Sequence, residues 1–368
     1  SSRSPSATSS CWPPGPAAGA GGAQGLRDWV SEDAGAVGFF DEVTQVGSAL
    51  SPTPAGWPRA FQEALRKLGK ESPLEVAPAR FLEATDPVME RLLPYLAALP
   101  DQASAWPIDY STGFSASLPH VARLLGVANL VQARAIAALV VGDREEASAL
   151  LGELFRMTES LRGPSTLIEL LVAYTTLQKA LLVLNVGMQE SAWTPDQLEA
   201  YRLQLGAIDP VAMLGDALRG DRVLFLHATD GVSVRELTVQ AHALAEGGKP
   251  PTLAFLYDLR PAGWTLADRA RYAETLQTWI ERAENSARRG LALGYASELP
   301  GGVLERLMFP LTACTLPAVE ALFPRAARVA NDVRLAELSC RIEAARLQGQ
   351  PLPEDGAHLA QQLPEGQL

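Results

Sequence analysis

Asp109 and His120 cluster in sequence and, with neighbouring carboxylates, suggest general acid–base chemistry. An imidazole oriented by a carboxylate can take a proton from a hydroxyl or a water, so the reaction they would support is hydrolysis. His120 has a second assignment. It follows Pro119 at a predicted helix start, where an imidazole can hydrogen-bond near the first turn. The chain holds 4 histidines, and His227, His242 and His358 stand far from His120 and from one another. No two share a helical turn, and H-E-x-x-H does not occur, so no metal ligand is assigned. Gly113-Phe114-Ser115-Ala116-Ser117 lacks the second glycine of a nucleophile elbow. Asn331-Asp332 opens a magnesium–diphosphate motif, but Leu335 and Ser339 stand where a hydroxyl residue and a glutamate belong. The phosphate-cradling glycine loops are also missing, since Gly247-Gly248-Lys249 runs into two prolines. Asp109 and His120 therefore remain the only catalytic candidates, and no cofactor-binding residue is predicted.

The cysteines Cys11, Cys314 and Cys340 form no C-x-x-C pair. Cys314 and Cys340 lie in apolar helical contexts and are expected to be buried thiols, with a disulfide between them as the alternative. Adjacent carboxylates such as Glu145-Glu146 and Asp41-Glu42 point to different sides of a helix and read as solvated surface.

These residues sit on a chain with 31 basic and 42 acidic side chains, a net charge of −11. That field repels phosphate, and no basic stripe with interleaved aromatics overrides it, so nucleic acid is not an expected partner. Hydrophobic residues make up 47% and charged residues 20%, which supports a packed interior.

The elements that must carry the candidates are helical. Trp57-Pro58 and Asp86-Pro87 each read as a helix start with proline in the first turn. From Leu118 to Leu139 apolar residues recur at helical spacing with few polar interruptions, so this helix is expected to be covered on several sides. Gly142-Asp143 ends it and begins the next, with Asp143 as cap and Glu146 reaching back to complete a capping box. Thr166 to Val186 forms a very apolar helix. Its length suits a membrane span, but Glu169, Gln178 and Lys179 assign it to a core. Thr194-Pro195-Asp196-Gln197 is a clear helix start. Further helices are predicted over 210–220, 220–227, 265–294 and 318–346, the last kinked at Pro324. No run of alternating β-branched residues occurs, so the fold class is all-α.

The chain divides into a flexible Ser/Pro/Gly-rich lead over 1–25, a helical domain with central hairpins over 26–245, a second helical part over 246–349 packed on the first, and a short tail over 350–368. The lead suits a tether after a removed signal or anchor, which places the protein in the cell envelope or periplasm ahead of the cytoplasm. No integral membrane span is expected within the chain.

The segment from Val127 to Leu161, with Gly142-Asp143-Arg144-Glu145-Glu146-Ala147 at its centre, resembles a tetratricopeptide-like helical hairpin. More broadly, the chain is similar to a group of uncharacterised bacterial helical proteins whose carboxy-terminal segment resembles pseudopilins. The residues that carry this are Trp106-Pro107-Ile108-Asp109-Tyr110, Leu118 through Leu125, the Gly-Asp hairpin and Leu338 through Arg346. The resemblance implies antiparallel helical hairpins packed into an irregular array, and it supplies no reaction. The expected function is that of a non-enzymatic scaffold receiving a protein or peptide partner. The alternatives are a helical hydrolase with a site assembled from dispersed residues and an envelope protein that binds an apolar ligand.

Overall fold

The computed structural model describes residues 27, 29–30, 38–43, 78–101, 106–109, 116–163, 165–229, 262–289 and 308–350. The predicted lead, the helix expected from Trp57, the segment 245–261 and the tail beyond Gln350 lie outside them. Among the described residues the regular elements are helices and no strand occurs, so the chain is all-α. The long helices are α1 (Pro78–Ala97), α2 (Pro119–Val141), α3 (Arg144–Glu159), α4 (Leu167–Gln189), α5 (Pro195–Gly206), α6 (Pro210–Ala228), α7 (Ala262–Arg289), α8 (Pro310–Glu320) and α9 (Leu322–Leu347).

The apolar periodicity from Leu118 produces α2, buried along almost its whole length. Gly142 closes it with φ 85°, a left-handed conformation that glycine adopts without a Cβ clash. The Asp143 and Gly142 amides then bond the carbonyls of Ala138 and Leu139 at 2.9 and 3.2 Å. Asp143 caps α3 by accepting the Glu146 amide at 3.0 Å. The rest of the expected capping box does not form. The Glu146 carboxylate instead accepts Arg134 Nε at 2.5 Å, because a buried guanidinium on the facing helix outcompetes an amide at a solvated helix end.

α2, α3 and α4 pack against one another, α1 lies against α2, and α4 reaches α6 and α9 as well. α6 pairs with α7, and α9 crosses α5, α6 and α4. α2 and α4 run parallel, as His120–Glu169 near their starts and Gln132–Lys179 further along show. α4 and α9 are parallel too, joined by Arg325–Thr175 at 3.2 Å and Arg346–Ser191 at 3.4 Å. One main apolar cluster extends from Trp29 to Cys340. α2 and α4 are each long and apolar enough to cross a membrane, but both are packed into this cluster, so neither is a clear span.

Three predicted boundaries move. Asp86-Pro87 does not open α1, which starts at Pro78 and keeps Pro87 inside. The turn before Pro87 is held from outside its own ladder: Thr85 Oγ1 donates to the Phe81 carbonyl and Arg134 donates to the Leu82 carbonyl. α6 is continuous through Gly220, where a break was expected. A Cβ at Gly220 would lie 2.1 Å from the Ser165 carbonyl oxygen, so the glycine serves close packing rather than termination. The last helix is divided rather than kinked, with Ala321 between α8 and α9. A helix continuing through Pro324 would press its ring against the Glu320 carbonyl, and α8 ends at that residue.

Candidate functional site

His120 is completely buried near the start of α2, and its Nε2 lies 2.9 Å from Glu169 Oε1 near the start of α4. Glu169 also closes a reciprocal cap: its Oε2 accepts the Thr166 amide at 2.7 Å while Thr166 Oγ1 accepts the Glu169 amide at 3.2 Å. Burial pushes this carboxyl up, but the hydrogen bonds from His120 and Thr166 outweigh it and hold Glu169 below its ordinary value. Trp106 stacks on the imidazole at 4.5 Å and donates its own Nε1 to the Ser160 carbonyl. His120 Nδ1 has no hydrogen-bond partner. The geometry ties two helix starts together under an indole and leaves no approach for a substrate among the described residues. Asp109 is exposed, whereas the carboxylate that holds His120 is Glu169.

An accessible cavity of about 530 Å³ opens between the parallel helices α4 and α9. Gln178, Leu181, Leu182, Asn185 and Met188 line it from α4, at helical spacings that put them on one face. Asp332, Leu335, Ala336 and Ser339 line it from α9 with the same i, i+3, i+4, i+7 pattern. The α4 stripe rises about 15 Å at 1.5 Å per residue, close to three helical turns. Ala336 and Ser339 contribute only short side chains to the α9 wall. Leu335 is 50% exposed, unusual for a leucine packed between helices. Burial raises the Asp332 carboxyl above its ordinary value, against a hydrogen bond from Gln178 and the charge of Arg328.

The cleft contains no activated nucleophile. Ser339 Oγ donates to the Leu335 carbonyl of its own helix at 2.8 Å. Among the described residues no group of three metal-ligating side chains converges, here or elsewhere. The arrangement suits a partner with an apolar stripe and polar flanks, because it offers leucine and methionine surface bordered by amide, hydroxyl and carboxyl groups. Comparison with family models, with curated proteins and with solved structures gives no match.

The sequence candidates do not line this cleft. In the sequence Asp332 belongs to an incomplete metal motif, and Gln178 counts only against a membrane span. The available signal was the pair of matched helical stripes, which single-helix periodicity assigns to a core. Cys340 is a free buried thiol whose pKa burial pushes up to about 12, aided by Glu337. The side chains of Cys11 and Cys314 lie outside the described residues, as do those of His242 and His358. His227 is exposed at the end of α6.

Proposed function

We propose that this protein is a non-enzymatic helical scaffold that receives a partner's amphipathic helix in the α4–α9 cleft. The observation that carries the reading is the cleft itself, with two facing i, i+3, i+4, i+7 stripes and a half-exposed leucine among its lining residues. Grooves of this kind take a helix whose own apolar residues repeat at the same spacing. The mutual packing of α2, α3 and α4 supports a tetratricopeptide-like arrangement in the first half of the chain, and the return of α9 across α4 to α6 makes the array irregular. The polar lining groups, Gln178, Asn185, Asp332 and Ser339, favour a peptide over a purely apolar ligand, because a peptide can match polar groups that a lipid tail cannot.

The test compares affinity capture from the native organism on the unaltered chain and on Leu335→Glu. Because Leu335 is half exposed, the charge is expected to leave the melting temperature nearly unchanged. The same partner should be held by the unaltered chain and lost by the variant. A partner retained equally by both, or none specific to either, overturns the proposal.

A further inference from the structure

The two ends of the α4–α9 cleft differ in charge. Towards the carboxy-terminal end of both helices Arg346 lies against Ser191 at 3.4 Å, and Glu343 accepts its Nε and Nη2 at 2.6 Å. That guanidinium is neutralised by a carboxylate three residues earlier in its own helix. Arg156 is neutralised in the same way by Glu153 at 3.1 Å, and Arg202 by Glu199 at 2.7 Å. Towards the amino-terminal end Arg325 and Arg328 stand seven and four residues before Asp332, on the face of α9 that lines the cleft. Three residues before them are Leu322 and Arg325, so neither has such a carboxylate.

Arg325 is held towards α4 by a bond from its Nη2 to Thr175 Oγ1 at 3.2 Å, which uses only part of the guanidinium fork. Arg328 is exposed and acts on Asp332 through its charge. Among the described residues neither arginine has a carboxylate at ion-pair distance. α4 adds no charge at this end, because Glu169 and Lys179 both turn to α2, where they bond His120 and Gln132. Asp332 offsets one of the two positive charges while accepting from Gln178. This end of the cleft therefore stays positive in a chain whose net charge is −11.

We infer, on the reading that the cleft receives a helix, that this helix carries an acidic turn at the end lying over Arg325 and Arg328. Along α9 these residues lie about 10 and 6 Å before Asp332 at 1.5 Å per residue, so the carboxylates belong one to two turns past the partner's apolar stripe. Guanidinium and carboxylate can pair there through two parallel N–H···O bonds, and apolar surface that covers the pair on docking strengthens it over a fully solvated one. A basic turn at that end would meet two like charges, whereas the neutralised end at Arg346 exerts no such preference. The charge thereby fixes which way round the partner lies, which the matched apolar stripes alone do not.

The test is selection on the full chain from a displayed library of helical peptides. Each has leucine, isoleucine or methionine at i, i+3, i+4 and i+7, and glutamate, lysine or glutamine varied in both flanking turns. Peptides selected on the unaltered chain should carry glutamate in one flanking turn only. A synthetic peptide of the selected sequence should bind about tenfold more tightly than its lysine counterpart at low salt, with the margin shrinking as salt rises. Arg325→Gln with Arg328→Gln should remove that margin and leave the selection of the apolar stripe intact. Arg328→Gln alone preserves the Thr175 bond and should reduce the margin, which decides the matter should the double variant not fold. Selection of the stripe with no charge preference, with lysine, or with glutamate that the arginine variants do not affect overturns the acidic turn and leaves the cleft as the docking site. Binding that Leu335→Glu fails to weaken, or no selection of any peptide, overturns both.

Discussion

Arg134 shows how much of this fold can depend on one side chain. It lies in α2 and bonds Asp86 and Glu146 at 2.5 Å, the Leu82 carbonyl at 2.9 Å and Thr85 Oγ1 at 2.8 Å. It thus joins α1 and α3 to the central helix. Replacing it by methionine keeps the stem but strands these acceptors, and the expected loss is about 2–4 kcal/mol in urea unfolding. Asp86→Asn should cost less than about 1 kcal/mol, because the Asp86 side chain is 53% exposed and its pairing is screened. Equal losses for the two variants would show that the carbonyl contacts do not matter. At this scale the sequence was legible in part. His120 stood out, and its place beside a helix start is where the structure puts it. Its partner Glu169 lies 49 residues away, a separation that no local spacing rule can reach. Arg134 was hidden for the same reason: within α2 it is one polar residue in an apolar run, and its four acceptors come from other elements.

Between elements, the close approaches are set by residues whose local preference points the other way. Gly220 has low helix propensity, so the sequence suggests a break, yet α6 runs through it because the Ser165 backbone occupies the space of a Cβ. Gly220→Ala is therefore expected to destabilise by about 1–3 kcal/mol, since a backbone carbonyl cannot move aside as a flexible side chain can. Gly263 in the first turn of α7 has nothing within 4 Å of its Cβ position, and Gly263→Ala should gain up to about 1 kcal/mol from propensity alone. Thermal melts followed by circular dichroism would compare the two, and a neutral Gly220→Ala would refute the packing argument. Caps were readable where they depend on neighbours in sequence, as with Thr194 and Gln197, whose reciprocal bonds form as expected. They were not readable where another helix intervenes. Glu146 turns to Arg134, and the first turn of α8 is bonded by Asp268 of α7, which accepts Thr312 Oγ1 at 2.7 Å and the Thr312 amide at 3.2 Å. The candidate cleft belongs to this second kind, since neither stripe announces that the other will face it across a gap.

The whole molecule carries a net charge of −11, and its buried carboxyls bias how stability responds to pH. Asp221 in α6 is the strongest case. Burial raises it from 3.8 to about 6, although Tyr272 of α7 donates a hydrogen bond to it at 3.2 Å. Glu153, Asp332 and Glu337 are raised by burial as well. A carboxyl raised on folding binds its proton more tightly in the native state than in the unfolded chain. Stability therefore increases as pH falls through about 6, and the gain is complete below the unfolded value of 3.8. Glu169 works in the opposite sense. Its depressed pKa contributes stability above its unfolded value of 4.5, and that contribution disappears as pH falls through the lower folded value. From about pH 6 down to 4.5 the Asp221 contribution grows while that of Glu169 is still intact, so these two groups together favour mildly acidic pH over neutrality. Loss of net negative charge near the isoelectric point of 5.0 acts in the same sense, so a pH profile of the unaltered protein cannot assign the effect. Asp221→Asn separates the two. It is neutral at every pH and its amide oxygen can still accept from Tyr272. The variant should be more stable than the unaltered chain at pH 7.5, with the difference narrowing steadily as pH falls to 4.5, and show a flatter rise between those values in urea unfolding. If the two profiles stay parallel across that window, the acid stabilisation comes from net charge and the α6–α7 pair contributes nothing to it.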